Sequence, residues 1–550
     1  MTQTSNNIGI LTSSSSVHEI EKFYYAPISY YADTRNIISN LYCFLSYDSS
    51  IAEFDISGNT TTTPVETAKS IKEYHKNIFA VKRILDSDIS PVIQRINWKT
   101  DTYYDIYKDN EFMFHRDSDG KLIKNFYIIN KYNQVFKCLW NAKNSDEHYD
   151  VSSISKSNNV VSIYHSGPDV FQIGDYITLD NVNPSEYNGT YVVVDGSYGI
   201  ANVSYALNTS YSVSANSNYT SNGIIYYASL STEEPQLDVG TFDNSVTLYT
   251  ADGYKWKYIY TVDKGQKERF YTKDYIPVPI SVDTPPNSYI TESGAGSLDI
   301  IGVSYGGNAY SDGTTTTTVN ITGDGQGANA VAYVVGGSVY DVIITNAGSN
   351  YTTANAVIVP SFGQGGSGAI LELYPSPIGG HGFDPIAEFG CNSIMVSAQF
   401  FGSEGGTIPT DVYYNQIGLL INPYAKKDPD NHANSTIFLT STILSVSATI
   451  SPFTQGEILI QGESINNYIF KAECLSYDAI NNVLYVVNTQ GTATPNYAVR
   501  GLSSGGYSIV SGFTSPTISP YTGYITYIEN IPTAIRNPSD TEQFNLIIKY

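Results

Sequence analysis

The chain has 550 residues, of which 15% are charged, and a formal net charge of −23. Its length exceeds what one hydrophobic core organises, which implies several domains. An acidic surface with no Lys/Arg cluster repels a phosphate backbone and excludes general nucleic-acid binding.

The N-terminus, MTQTSNNIGILTSSSSVHEI, has neither a basic start nor a long apolar run, so no signal peptide is expected. No stretch reaches bilayer-spanning length, and the expectation is a soluble protein with no membrane contact, made in a cytoplasm. One helix is predicted over 64–86. Thr63 can cap it, Pro64 suits the first helical position, and Glu66 completes a capping box. Ile71, Tyr74, Ile78, Val81 and Leu85 then recur at helical spacing until Ser90-Pro91 interrupts them. Almost everything else alternates at period two between Gly, Asn and Asp, which predicts a mainly β protein. The run 115–121 (HRDSDGK) reads as a hairpin turn, and its Asp117 and Asp119 lack the further carboxylates of a calcium loop.

From about 152 to 228 the composition turns to Ser, Asn, Tyr and Val, with the central phrase Phe171-Gln172-Ile173-Gly174-Asp175. A matching phrase, Phe453-Thr454-Gln455-Gly456-Glu457, falls inside 446–520. In each, an aromatic anchors a turn, Gly allows an unusual backbone angle, and a strand follows, so both segments read as small β-barrel or sandwich modules. Between them lies an internal repeat. Gly307-Asn308-Ala309-Tyr310 recurs as Gly348-Ser349-Asn350-Tyr351 and Gly327-Ala328 as Gly368-Ala369, both offset by 41 positions. Each unit reads as strand, Gly/Tyr turn, strand, Gly-rich turn, strand, and two units can bury a shared face.

The C-terminus ends on alternating Phe544, Leu546 and Ile548. A terminus frays unless something pairs with it, so this strand is expected to close a sheet built earlier. Before it, a strand over 524–529 and a turn marked by Pro532 are predicted. The resulting layout is a core part at 1–150 holding the helix, an inserted β module at 151–230, and core again at 231–297. A two-unit Gly-rich insert at 298–376, core at 377–445, a second inserted module at 446–520 and C-terminal core strands at 521–550 complete it.

Catalytic and binding motifs are thin. Gly501-Leu502-Ser503-Ser504-Gly505 fits the nucleophile-elbow pattern, but a strand follows it and no histidine comes later in the chain, so it reads as a hairpin. Gly323-Asp324-Gly325-Gln326-Gly327 lacks the Lys-Ser/Thr of a phosphate loop and recurs as repeat turn chemistry. Asp428, Asp430, Asn431 and His432 form a polar turn. His381, between Gly380 and Gly382, reads as a hydrogen-bonded turn residue. No catalytic residue, cofactor or metal is expected. The four cysteines (Cys43, Cys138, Cys391, Cys474) are far apart and are expected as reduced, buried thiols. The 48 tyrosines against 21 phenylalanines suit half-buried strands and protein interfaces.

Four islands fall in order along the chain. The first is Pro91 to Trp98, which includes Arg95, followed by Tyr103-Tyr104-Asp105-Ile106-Tyr107. The second, Gln134-Val135-Phe136-Lys137-Cys138-Leu139-Trp140, is matched downstream by Asp252-Gly253-Tyr254-Lys255-Trp256. The third is Gln416-Ile417-Gly418-Leu419-Leu420-Ile421-Asn422-Pro423, and the fourth is Tyr527-Ile528-Glu529-Asn530 with Pro532 and Asp540-Thr541-Glu542. Together they resemble the small baseplate wedge subunit of T-even-type contractile-tailed bacteriophages, over a third to a half of the chain. The resemblance implies a virion structural protein of the tail baseplate, made in the host cytoplasm. It also implies self-association as a dimer, contact with other wedge subunits, and repositioning of those contacts when the tail contracts. The family's best-known subunits lack the Gly-rich repeats. The rival expectation is a receptor-binding or fibre-attached adhesin whose β inserts bind surface sugars; an enzyme is the third.

Overall fold

The structure, a computed structural model, describes residues 2–4, 40–48, 64, 67–109, 111–142, 148–157, 160–166, 171, 173–183, 187–197, 200–204, 223–238, 247–279, 296–313, 317–361, 363–377, 380–426, 428–434, 438–448 and 451–549. It is mainly β, built from several sheets and two closed barrels. The chain forms two compact units, Pro91–Cys391 and Met1–Ser90 with Asn392–Tyr550.

The core of the unit Pro91–Cys391 is a sheet in the order Thr247–Tyr249, Tyr254–Thr261, Gln134–Asn141, Tyr127–Ile129. Its two central strands are buried on both faces, and pair antiparallel with Lys255 opposite Trp140, Trp256 opposite Cys138 and Lys257 opposite Lys137. One face packs Tyr104, Phe136, Cys138, Tyr254 and Trp256. On the other side lies a cluster that includes Met113, Phe126, Tyr127, Val135, Tyr260 and Phe389. The turn expected at 115–121 is present: Asp117 Oδ1 accepts from the amides of Asp119 and Lys121, and Arg116 bridges to Leu122.

Two modules depart from this sheet. The first is a six-stranded closed barrel between Tyr149–Ser157 and Ile224–Tyr227. The second spans Leu298–Tyr305 to Ile370–Pro375, and here the repeat takes an exchanged form. The first strand of unit one pairs with the last of unit two (Leu298–Tyr305 with Ile370–Pro375). The last strand of unit one pairs with the first of unit two (Asn329–Val335 with Ser338–Asn346), and the middle strands pair with each other. In that middle pair Thr318 faces Val359, its own equivalent 41 positions on. The bridge between Asn308 and Ser367 is repeated by Ser349 and Gln326, and the Tyr310 and Tyr351 hydroxyls accept from the Ala369 and Ala328 amides respectively. The two units thus complete each other about a pseudo-twofold axis. Glycine is needed where the rings lie: a Cβ on Gly325 would sit 2.4 Å from the Tyr351 ring, and one on Gly366 2.2 Å from Tyr310.

In the unit Met1–Ser90 with Asn392–Tyr550, a sheet runs in the order Ile78–Arg83, Leu41–Ser46, Val412–Ile421, Tyr524–Arg536. The predicted helix is shorter than 64–86. It spans Ala68–Asn77, capped by Thr67, whose hydroxyl accepts from the Ser70 amide; Thr63 and Glu66 lie outside the described residues. From Ile78 the chain is a strand paired with Leu41–Ser46, and Ser90-Pro91 sits within a further strand, Ile89–Gln94. A short apolar run such as Ile78-Phe79-Ala80-Val81 suits a buried helix or a buried strand equally, and the available partner decides.

The C-terminal prediction is corrected in one respect. No turn occurs at Pro532; a single strand runs Tyr524–Arg536, and the turn follows it. Pro532 falls where the pairing with Val412–Ile421 shifts, between Asn530 opposite Gln416 and Ala534 opposite Tyr414, on the sheet's edge strand. An irregularity at an edge is where a strand tolerates the missing N–H. The last strand, Thr541–Lys549, pairs residue by residue with Ser393–Phe401, closing a sheet built earlier in the chain as expected. Arg536, fully buried, donates to Glu542 and to the Gly402 and Pro409 carbonyls, fixing the turn between the last two strands, which lie in different sheets.

The second closed barrel lies between Thr442–Val446 and Tyr507–Thr514. Its cyclic order is Tyr507–Thr514, Thr442–Val446, Val483–Gly491, Asn467–Asp478, Ile458–Ser464, Ala498–Gly501. The first barrel's is Tyr149–Ser157, Val160–His165, Ile200–Ser204, Gly189–Ser197, Tyr176–Asp180, Ile224–Tyr227. Position by position these are the same antiparallel arrangement, circularly permuted: the strand that comes last in the second barrel comes first in the first. The matching phrases occupy the same place in both. Gly174 donates to Val193 and Asp175 accepts from it; Gly456 donates to Cys474 and Glu457 accepts from it. All four cysteines are buried thiols that form no disulfide.

Candidate functional site

The residues singled out by the family resemblance gather in two places. In the first unit described, Trp98 and Tyr104 pack with Cys138 and Trp256, with Tyr104 edge-on to the Trp256 ring at 5.4 Å. Arg95 lies over the Tyr271 ring and donates to Asn97 and the Thr272 carbonyl. Trp98 donates to Ser231. Beside Gly253, Asp252 accepts from Ser231, from the Thr232, Glu233 and Tyr254 amides, and from Thr250. Burial would raise its carboxyl, but these donors outweigh burial and hold it below the usual value.

In the other unit the third and fourth islands are neighbours. Ile417 faces Glu529, and Gln416 donates to the Asn530 side chain while accepting from Ser46, all buried. Glu529 accepts from the Tyr527 hydroxyl. Asn422 adopts a left-handed backbone, and its neighbour Pro423 accepts from the Ala433 amide. These residues hold strands in register.

The strongest electrostatic feature surrounds His381, where the sequence alone suggests a turn. His381 is buried between two ion pairs. Lys137, fully buried on the central strand, donates to Glu388 at 2.6 Å and to His381 Nδ1 at 3.0 Å, and lies 3.3 Å from the centre of the Tyr107 ring. Glu388 is placed by the short helix Pro385–Glu388, which Asp384 caps, and also accepts from the Gly382 amide. On the far side, Lys257 donates to Asp299 Oδ1 at 2.9 Å. Asp299 Oδ2 accepts from Ser376 and lies 3.5 Å from His381 Nε2.

Burial and the adjacent Lys137 both push His381 below its ordinary value, so it is neutral near pH 7. Burial would raise Asp299, yet Lys257 and His381 outweigh it and bring it to about 2. Glu388 is likewise held down against burial, chiefly by Lys137. The adjoining cavity, lined by Tyr107, Leu139, Asp299, Ile300, Tyr374, Pro375 and His381, holds about 10 Å³. That is room for about one water and for no substrate. The arrangement is a charge-balanced joint between the core sheet and the root of the repeat insert.

Sequence reasoning missed Lys137, Lys257 and Asp299. A signal was present: a lysine inside an apolar central strand has to find a carboxylate. Ser503 sits in a turn between Ala498–Gly501 and Tyr507–Thr514, where the Glu457 carboxylate accepts from the Ser503 and Ser504 amides. Asp324 accepts from the Thr352 and Thr353 amides, as a turn residue does. His432 stacks on Tyr424. Among the described residues no group of three or more His, Cys, Asp or Glu is placed to hold a metal. No family model and no curated protein matches the chain.

Proposed function

We propose that the chain is a structural subunit of a contractile phage tail baseplate wedge, joining neighbouring wedge proteins and shifting those contacts as the tail contracts. One observation carries this reading. Each of the three β modules leaves and rejoins through strands that are hydrogen-bonded to each other: Tyr149 with Ile225, Leu298 with Pro375, and Ile443 with Thr514. A module joined in this way can be accommodated within a scaffold without separating the strands on either side of it. The family-like islands accordingly meet in continuous sheets, Gln134–Asn141 with Tyr254–Thr261 and Val412–Ile421 with Tyr524–Arg536.

Work of this kind depends on interface area, and exposed tyrosines supply it. Tyr340 is 78% exposed, Tyr524 72% and Tyr497 59%. Such rings give large contact area at low ordering cost. The exposed face of Tyr333, Val335 and Tyr340 on the repeat insert equally suits the rival, an adhesin stacking aromatic rings on sugars. Cryo-electron microscopy of an intact tail tip tests the choice. The expected result is density for this chain within each wedge, and a dimer that co-purifies with wedge subunits. A trimer at the tip of a fibre that binds glycan would overturn the proposal.

A further inference from the structure

We propose that His381 is a pH-sensitive lock that fastens the repeat insert to the core sheet. The case rests on donor and acceptor geometry. A lysine ammonium has only protons to give, so at 3.0 Å from Lys137 Nζ the His381 Nδ1 must be an acceptor and carry no hydrogen. The ring hydrogen of the neutral imidazole is therefore on Nε2, which lies 3.5 Å from Asp299 Oδ2. Asp299 belongs to Leu298–Tyr305, the first strand of the insert, and Ser376 on the returning chain donates to the same carboxylate. Neutral His381 thus joins a core ion pair, Lys137–Glu388, to the pair at the insert's root, Lys257–Asp299.

Every charged group facing the ring belongs to this balance. Lys137 comes from the strand Gln134–Asn141, Glu388 from the short helix, Asp299 from the insert, and Lys257 from the strand Tyr254–Thr261 behind Asp299. Tyr107 presents its ring to both Lys137 and His381, and Asp109 acts on Lys137 from further away. Within the two ion pairs, Lys137 with Glu388 and Lys257 with Asp299, the charges balance while the imidazole is neutral. A proton on Nδ1 sets donor against donor and adds a positive charge beside Lys137, in a space with room for about one water to screen it. The repelled contact is Lys137 with His381; Lys137 is enclosed by the core sheet, so the ring shifts, and its contact with Asp299 on the insert shifts with it.

The sign follows. The folded His381 lies below its unfolded value, so the lock is complete above about pH 6.5 and weakens as pH falls below it. The test is hydrogen exchange of the full chain at about pH 8 and about pH 5, corrected for intrinsic rates. The expected result is at least a tenfold gain in exchange of Leu298–Tyr305 and Ile370–Pro375 at the lower pH, with Gln134–Asn141 unchanged. His381→Gln accepts from Lys137 and donates to Asp299 without titrating, so its insert should stay protected at both pH values. Asp299→Asn removes the charge that holds the insert and should raise exchange there at both. Wild-type exchange that ignores pH, or a pH response surviving intact in His381→Gln, overturns the proposal. Should His381→Gln fail to fold, Asp299→Asn decides: an insert as protected as in the wild type at about pH 8 overturns it.

Discussion

The two closed barrels share a cyclic order of six strands and one turn, yet the chain opens them at different strands. In the first barrel the turn is anchored by rings: Phe171 contacts Tyr149, His165 and Tyr227. In the second, Phe453 meets Tyr477, and Glu457 draws together Thr454, Ser503 and Ser504. The comparison teaches that the fold of such a barrel resides in which strands are neighbours. Where the backbone begins is secondary, provided the two free ends lie side by side. It also shows one turn held mainly by aromatic burial in one copy and by a buried carboxylate in the other.

The largest expected effect tests the aromatic side. Phe171→Ala and Phe453→Ala should each destabilise their barrel by about 3–5 kcal/mol, with Phe171 at the upper end because more rings lose contact. Local hydrogen exchange reads this barrel by barrel, and a larger loss at Phe453 would reverse the comparison. Next comes Glu457→Ala, expected to cost about 1–2 kcal/mol by removing the acceptor of three partly buried amides, against under about 1 kcal/mol for Asp175→Ala. Burial raises the Glu457 carboxyl, but its donors outweigh burial and hold it below the ordinary value. Its stabilisation is therefore complete above the unfolded glutamate value and fades as the pH falls through the lower, folded one. Acid titration of the second barrel should show that loss, and Glu457→Ala should flatten it. Smallest, Gly174→Ala and Gly456→Ala should each cost about 1 kcal/mol, since both hold a left-handed backbone (φ +97° and +82°) with open space where a Cβ would go. A clear cost at only one of them would mean that the turns are not equivalent.

Much of this was legible in the residues, and the failures are specific. The repeat was visible because the Gly and Tyr of Gly307 to Tyr310 recur 41 positions on at Gly348 and Tyr351, and such residues mark turns that few others can make. The recurring phrase around Gly174 and Gly456 was visible for the same reason. The helix was overextended because Ile78 and Val81 satisfy helical spacing while also belonging to a strand. Pro532 reads as a turn in sequence because an edge-strand irregularity is invisible until the partner, Val412–Ile421, is known. His381 looked like a loop residue because its companions lie 244 positions upstream at Lys137 and at Asp299 on the insert.

By itself, then, the amino-acid order determined the mainly β character, the turns, the 41-residue repeat and the alternation of the closing strand. These are short-range properties, set by backbone angles and by which side of a strand is apolar. Only the tertiary structure decided that the repeat units exchange strands, that one barrel is a permutation of the other, and which carboxylate each buried lysine meets. Those outcomes depend on pairing between distant segments, where many strands could bond equally well and the fit of the whole sheet makes the selection.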